Sequence, residues 1–200
     1  MGDRVYLHAL ALRLAALALA GCLLVPATAR AVPPPAPDGD DAARELSLRA
    51  AFVFNFARFV EWPPEALADT ASLRLGVFAP NKVPAPFAAL RGRQVRGHVV
   101  RIVPLGPAND PADCHLLYCG AATPAQLAVL LAGVRGHPVL TVGEGTGFID
   151  GGGMIELITR DNRLRFRVRP DAARTVGLRV GSSLLQLADE VLDRPAEVSR

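Results

Sequence analysis

The chain has 200 residues, half of them hydrophobic and a fifth charged, with a formal net charge of +3. One domain is the default at that length, and the apolar content supports a sizeable core. Residues 1–31 hold Arg4, Arg13 and Arg30 against Asp3, so the remainder sits near +1. That balance gives nucleic-acid binding little support, because the phosphate backbone is met by concentrated positive charge.

Arg4 and Arg13 make a basic start, and Leu14–Val25 is an apolar run too short to span a bilayer as a mature helix. Ala27-Thr28-Ala29 and Ala29-Arg30-Ala31 are small-x-small cleavage patterns, so residues 1–31 read as a secretory signal peptide. Leu19-Ala20-Gly21-Cys22 also has the form of a lipoprotein box, which would place a lipid anchor on Cys22. Leu23, Leu24 and Val25 continue the apolar run and favour simple cleavage; lipidation stands as the alternative. Residues 32–41, VPPPAPDGDD, are proline-rich and polar and read as a disordered leader.

A helix is expected over Ala42–Val60. Phe52, Phe54, Phe56 and Phe59 are half of the chain's eight phenylalanines. Positions 48, 52, 55, 56, 59 and 63 step by three or four, the spacing of one helical face. Asn55 lies in that aromatic row and would need hydrogen-bond partners if buried. Pro63 biases Trp62, the only tryptophan, away from helical geometry and ends the helix. The plain reading is a core helix. The sharper one is a helix end that presents Trp62 and Pro63 to a ligand or partner.

Leu73–Phe78 is a run of strand length, Pro80–Leu90 holds a turn and a short helix, and Gln94–Leu105 is strand-like. Cys114–Cys119 reads as a third strand after Asn109-Asp110-Pro111. Its two cysteines would point to opposite faces. They would lie roughly 16 Å apart at ~3.3 Å per residue, too far for a disulfide. With His115 they also fall short of a zinc set, so both read as buried thiols. Thr123 and Pro124 can start a helix running to about Ala132. Pro138–Val142 is a further strand. Strands alternating with short helices predict an α/β fold: one domain with a mostly parallel central sheet flanked by helices.

Gly143–Gly153 holds six glycines. It lacks the lysine and hydroxyl of a phosphate-binding loop, so it reads as a glycine-permitted crossover, or as a mobile loop carrying Phe148 as a docking element. Met154–Arg160 and Arg163–Arg169 flank Asp161-Asn162, a two-residue hairpin turn. That loop sets Arg160 opposite Arg163, Leu157 opposite Phe166, Thr159 opposite Leu164 and Ile155 opposite Val168. It also sets Ile158 opposite Arg165 and Glu156 opposite Arg167, the last as an exposed pair worth about 0–1 kcal/mol. Arg163, Arg165, Arg167 and Arg169 share a strand face. They read as charges guarding an edge strand or as a positive ladder for an acidic partner. Pro170–Thr175 begins a helix. Ser182–Leu192 is another, with Leu184, Leu185, Leu187, Val191 and Leu192 inward. Residues 194–200 form a tail.

His98, His115 and His137 have no ligand spacing, and Ser182-Ser183 is not a nucleophile motif. No catalytic residues, metal or cofactor are expected from these patterns.

The order AAFVFNFARFVEWPP, LRLGVFAP, DCHLLYC, PVLTVGEGTGFIDGGGMIELI, LRFRV and GLRVGSSLLQLA resembles the YfiR family of periplasmic regulatory proteins, from about Leu48 to Ala188. The resemblance implies a small α/β domain in the periplasm over residues 42–193, not an enzyme. It implies a partner too: the best-known member restrains an inner-membrane diguanylate cyclase through that protein's periplasmic part. A homodimer is a further candidate assembly. Relatives often carry cysteine where Gly76 stands, so the resemblance also implies that Cys114 has lost a partner. On this reading Asn55, Phe59, Trp62, Pro63, Phe148, Arg165 and Arg167 are the candidate partner- or ligand-binding residues. The alternative is a small-molecule-binding module with Trp62 and Phe148 lining a pocket. Mass spectrometry of protein from the native periplasm should show residues 1–29 or 1–31 missing, or an acylated Cys22. An intact Met1 on cytoplasmic protein would overturn the export expectation.

Overall fold

A computed structural model describes residues 39–193, apart from residues 69, 70, 80, 107, 108, 121 and 146. The signal peptide, the Cys22 anchor, most of the leader and the 194–200 tail lie outside the described residues.

Helix α1 spans Gly39–Phe59, three residues earlier than expected, with Asp40 and Asp41 in its first turn. Acidic side chains there complement the positive end of the helix dipole. The expected leader therefore gives way to helix before residue 41. The chain then passes into β1 (Val60–Glu61), which pairs antiparallel with β9 (Arg179–Val180). Short helix α2 (Pro64–Leu67) follows Pro63, and β2 (Ser72–Phe78) enters the main sheet. After α3 (Ala85–Ala88), the expected single strand over Gln94–Leu105 is two: β3 (Gln94–Val95) and β4 (His98–Leu105). Arg96 and Gly97, both at positive φ, make the tight turn that folds them back antiparallel.

A 3-10 turn at Pro111–Asp113 is capped by Asp110, whose side chain accepts the Ala112 N–H at 2.9 Å. It leads to β5 (Leu116–Tyr118). Helix α4 (Pro124–Gly133) starts with a full capping box between Thr123 and Gln126. Then come β6 (Leu140–Glu144), β7 (Ile155–Arg160), β8 (Arg163–Val168), α5 (Pro170–Arg174), β9, α6 (Ser182–Leu187) and β10 (Glu190–Val191).

The main sheet has eight strands in the order β10-β8-β7-β6-β5-β2-β4-β3. Its centre, β4-β2-β5-β6-β7, is parallel throughout. The β7–β8 hairpin is antiparallel and realises all six expected pairs, from Arg160 opposite Arg163 to Ile155 opposite Val168. Asp161 and Asn162 sit at φ 52° and 55°, the left-handed pair that such a two-residue turn requires. The architecture is the mixed α/β single domain that the sequence implied.

Each sheet face has its own core. On one face Leu73, Leu75, Leu116, Leu140, Ile155, Leu157 and Phe166 meet Ala50, Val53, Phe54, Phe56 and Ala57 of α1. On the other, Leu105, Leu117 and Val139 meet Leu130, Leu131 and Val134 of α4, together with Phe148. The inward stripe of α1 is therefore 50-53-54-57, and not the row that begins at Leu48. Leu48 is 44 % exposed and Asn55 is exposed. Small and β-branched side chains let the helix axis approach the sheet, and the larger Phe52 and Phe59 are pushed to its flank.

The cysteines, both buried and free, belong to the α4-side core together. Alternation fails because regular strand covers only Leu116–Tyr118, and Cys114 sits in the extended cap before it. A Cβ on Gly76 would come within 2.6 Å of the Cys114 sulfur, so these two positions are neighbours. The expected helix over Ser182–Leu192 stops at Leu187. Beyond it, Asp189 N–H donates to Phe166 C=O and Leu192 N–H to Val168 C=O, so the open edge of β8 recruits the chain as a strand. Glu156 is 2 % exposed in its ion pair with Arg167, and the expectation of a solvent-exposed pair is corrected. Its side chain lies on the sheet face opposite to Ile155 and Leu157.

Trp62 and His115 tie the end of α1 to the sheet. The Trp62 indole N–H donates to the His115 carbonyl at 3.1 Å. His115 Nδ1 accepts the Arg74 N–H at 2.9 Å. Burial, with the Arg74 charge beside it, lowers the His115 pKa from 6.5 to about 4. The unfolded chain therefore takes up the proton first. Stability is full above pH 6.5 and falls as the pH drops toward about 4, by at most about 3 kcal/mol. Denaturant titrations of wild type and His115→Gln across this window should diverge in slope; parallel curves would refute the assignment. Trp62→Ala should cost about 3–5 kcal/mol in the same assay, since it opens a core cavity and removes one hydrogen bond to the His115 carbonyl, which keeps the Leu140 N–H.

Candidate functional site

The flank of α1 at the edge of the α1–sheet contact, toward α6, forms one wall of an open groove. Phe52, Asn55, Phe56, Arg58 and Phe59 line that wall, Phe166 of β8 forms the floor, and Leu184 and Leu187 of α6 form the far wall. The groove holds about 380 Å³. Phe52, Phe56 and Phe166 meet edge to face, with ring centroids 5.0–6.1 Å apart. This rigid aromatic floor needs few rotamers to be frozen when it is covered. Leu187 stands 66 % exposed at the rim, which corrects the expectation that it faces inward. α6 is only six residues long, and its last turn overhangs the groove instead of joining the core. Asn55 and Arg58 supply the polar edge.

The candidate residues separate. Asn55 and Phe59 lie on the groove. Trp62 does not: at 8 % exposed it is in the core with its N–H satisfied. Pro63 is half-buried and starts α2, with the Gly177 backbone beside its ring. Phe148 is fully buried in the opposite core. Cβ atoms on Gly143 and Gly153 would each fall 2.2 Å from its ring, so these glycines exist to let the ring in. The loop wraps Phe148 and does not offer it outward. Trp62 and Phe148 thus cannot line one pocket.

Arg165 and Arg167 are on the sheet face away from the groove, because Phe166 between them points into it. Arg165 pairs with Asp189 at 3.3 Å, a carboxylate it shares with Arg160. Arg167 donates from Nε to Glu156 at 2.8 Å and lies 3.7 Å from Glu190. Arg169 is buried and donates to the Ile149 carbonyl at 2.6 Å. The series is largely neutralised, so it is not a bare positive ladder. It does not guard a free edge at Arg167 either, because β10 pairs there with Glu190 opposite Arg167. Sequence reasoning missed Phe166, Leu184 and Leu187 as partners of Phe52 and Phe59. They are more than a hundred residues away, and only the fold brings them across.

Comparison with known proteins gives three findings. No curated protein matches the chain. A solved structure, a conserved domain protein from Vibrio cholerae O1 biovar El Tor strain N16961, aligns with a TM-score of 0.44 and 11 % identity, over 64 % of this chain and 57 % of that one. Residues 46–189 match the model of the family described as YfiR/HmsC-like. That span runs from within α1 to the residue before β10 and takes in every wall of the groove. The chain belongs to the YfiR/HmsC-like family, whose general role is regulatory and periplasmic.

Proposed function

We propose that this protein is a periplasmic regulatory binding protein that docks its α1–α6 groove on the periplasmic part of a membrane-bound signalling enzyme of the diguanylate cyclase type. The observation that carries the reading is the groove itself. Phe52, Phe59 and Leu187 present apolar surface beside the polar Asn55 and Arg58, on a member of a regulatory family. An apolar centre with a polar rim is the anatomy of a protein interface. The groove is open, shallow and short of converging polar groups, which favours a protein segment over an enclosed small molecule. The mechanism is allosteric. Docking favours one conformation of the partner, by as much as the two conformations differ in affinity for the groove.

Leu187→Asp separates docking from folding. The side chain is mostly exposed, so the melting midpoint should stay close to that of wild type, within about 0.5 kcal/mol of stability. Capture of the inner-membrane partner by the tagged protein from solubilised membranes should fall at least about tenfold, the scale of one hot-spot contact. Phe59→Ala should weaken capture in the same direction. Retained capture by both variants, each folded, would overturn the docking surface.

A further inference from the structure

The arginines of β8 are largely neutralised, whereas those near β3, the opposite edge of the sheet, are not. From Lys82 to Asn109 the chain carries Lys82, Arg91, Arg93, Arg96 and Arg101 and no carboxylate. All five of these residues are exposed. Among the described residues, Arg96 alone of the five has a carboxylate within ion-pair distance, Glu61 at 3.5 Å.

Arg93 and Arg96 gather with Arg58 around the last turn of α1. The guanidinium carbon of Arg93 lies 4.3 Å from the Phe54 ring centroid. Phe54 stands one helical turn before Arg58 on the same side of α1. Such a stack holds the guanidinium by the ring face and consumes none of its N–H donors. The backbone is fixed as well, since the Val100 N–H donates to the Arg93 carbonyl at 2.8 Å. Arg96 donates from Nη1 to the Arg58 carbonyl at 3.4 Å. It sits in the β3–β4 turn at φ 50°, where asparagine or glycine is the unstrained choice. A cation is therefore held at this tip against the backbone preference.

The charge does not close within the cluster. Arg58, Arg93 and Arg96 meet one carboxylate, Glu61, which leaves two positive charges in excess. The negative end of the α1 dipole offsets about half a charge of that. The excess borders the groove, because Arg58 also lines the wall beside Phe59. The start of α1 carries Asp40 and Asp41 instead. The wall helix is thus oppositely charged at its two ends, which gives a docked segment a preferred direction.

We propose that the segment docked in the α1–α6 groove is an acidic-flanked one: beyond its apolar contacts it carries carboxylates that pair with Arg58, Arg93 and Arg96. This rests on the docking reading above and names the chemistry of the partner. Planar guanidiniums with free paired donors suit carboxylates, which accept two N–H bonds side by side. An anionic bilayer also attracts clustered arginines, but its headgroups would leave the adjoining apolar groove empty.

The test is fluorescence anisotropy of the intact protein with labelled peptides of one apolar core, Leu-Phe-Ala-Leu-Leu, flanked on both sides by paired glutamates, glutamines or lysines. The glutamate peptide should bind at least about tenfold tighter than the glutamine peptide, and the preference should shrink in about 0.5 M salt. The double variant Arg93→Gln/Arg96→Asn should remove most of that preference; asparagine suits the left-handed turn, so the hairpin is kept. Arg93→Gln alone should act in the same direction. Leu187→Asp should weaken all three peptides. If it does so while the three flanks bind equally, the groove stands and this proposal falls. A glutamate preference that survives in the folded double variant overturns it as well. So does failure of the glutamate peptide to bind, and the docking reading is then judged separately, by capture of the membrane partner with Leu187→Asp. Vesicles of phosphatidylglycerol that bind wild type and not the double variant, with no peptide preference, would assign the cluster to a membrane and overturn the proposal.

Discussion

The close seat of α1 on the sheet is the constraint from which the other features follow. Ala50, Val53, Phe54 and Ala57 bring the helix down onto the α1-side core. Arg93 lies over the outer face of Phe54, 4.3 Å from its ring centroid. Once that stripe is buried, the rotation of the helix is set, because side chains three and four residues apart share one face. Phe52, Asn55 and Phe59 must then stand on the flank, where α6 and Phe166 complete a groove. Arg49 must point to the carboxyl ends of the strands. Trp62 arrives where its N–H reaches the His115 carbonyl. One packing decision thus places the aromatic groove, the contact of Arg49 with Glu144 and the tie at the helix end.

The second core is organised around a single ring. Phe148 fills the space beneath Gly143 and Gly153, and Gly153 N–H closes the turn on the Phe148 carbonyl. A glycine-rich segment is usually a sign of freedom. Here the missing side chains are a steric requirement of the buried ring, and the conformational cost of ordering them is offset by burying a large apolar surface. Charged side chains follow the same economy on the β8 face. Glu156 is held by Arg167, and Asp189 gathers Arg160 and Arg165, so the arginine series stabilises the sheet margin by pairing. Its contribution as a surface field is correspondingly small.

Regulation of a partner by binding works through surfaces whose occupancy shifts that partner's equilibrium. The α1–α6 groove offers an apolar surface with a polar edge, and the family assigns the general role. At the strand ends Arg49 of α1 donates to Glu144 of β6, which also accepts the Tyr118 hydroxyl of β5, so the middle of α1 is tied to the sheet.

The sequence by itself determined the local structure. Asp161-Asn162 fixed the hairpin and every pair in it, because a two-residue turn leaves one register and the alternation of Leu157, Phe166 and Val168 agrees with it. Thr123, Pro124 and Gln126 fixed the start of α4 through backbone geometry within four residues. The α/β class followed from the alternation of short apolar runs and helices, and the family from the order of its motifs. Local signals failed where a distant partner decides. The aromatic row of α1 was visible, but which side of it faced the sheet depended on small residues fitting the strands. The end of α6 depended on the vacant edge of β8, and the burial of Phe148 on two glycines ten residues apart. Phe166 and Leu184 beside Phe59, and Glu144 beside Arg49, come from the far half of the chain. Only tertiary packing could decide them, because burial and charge pairing are properties of what the fold brings into contact, and no spacing along the chain encodes that.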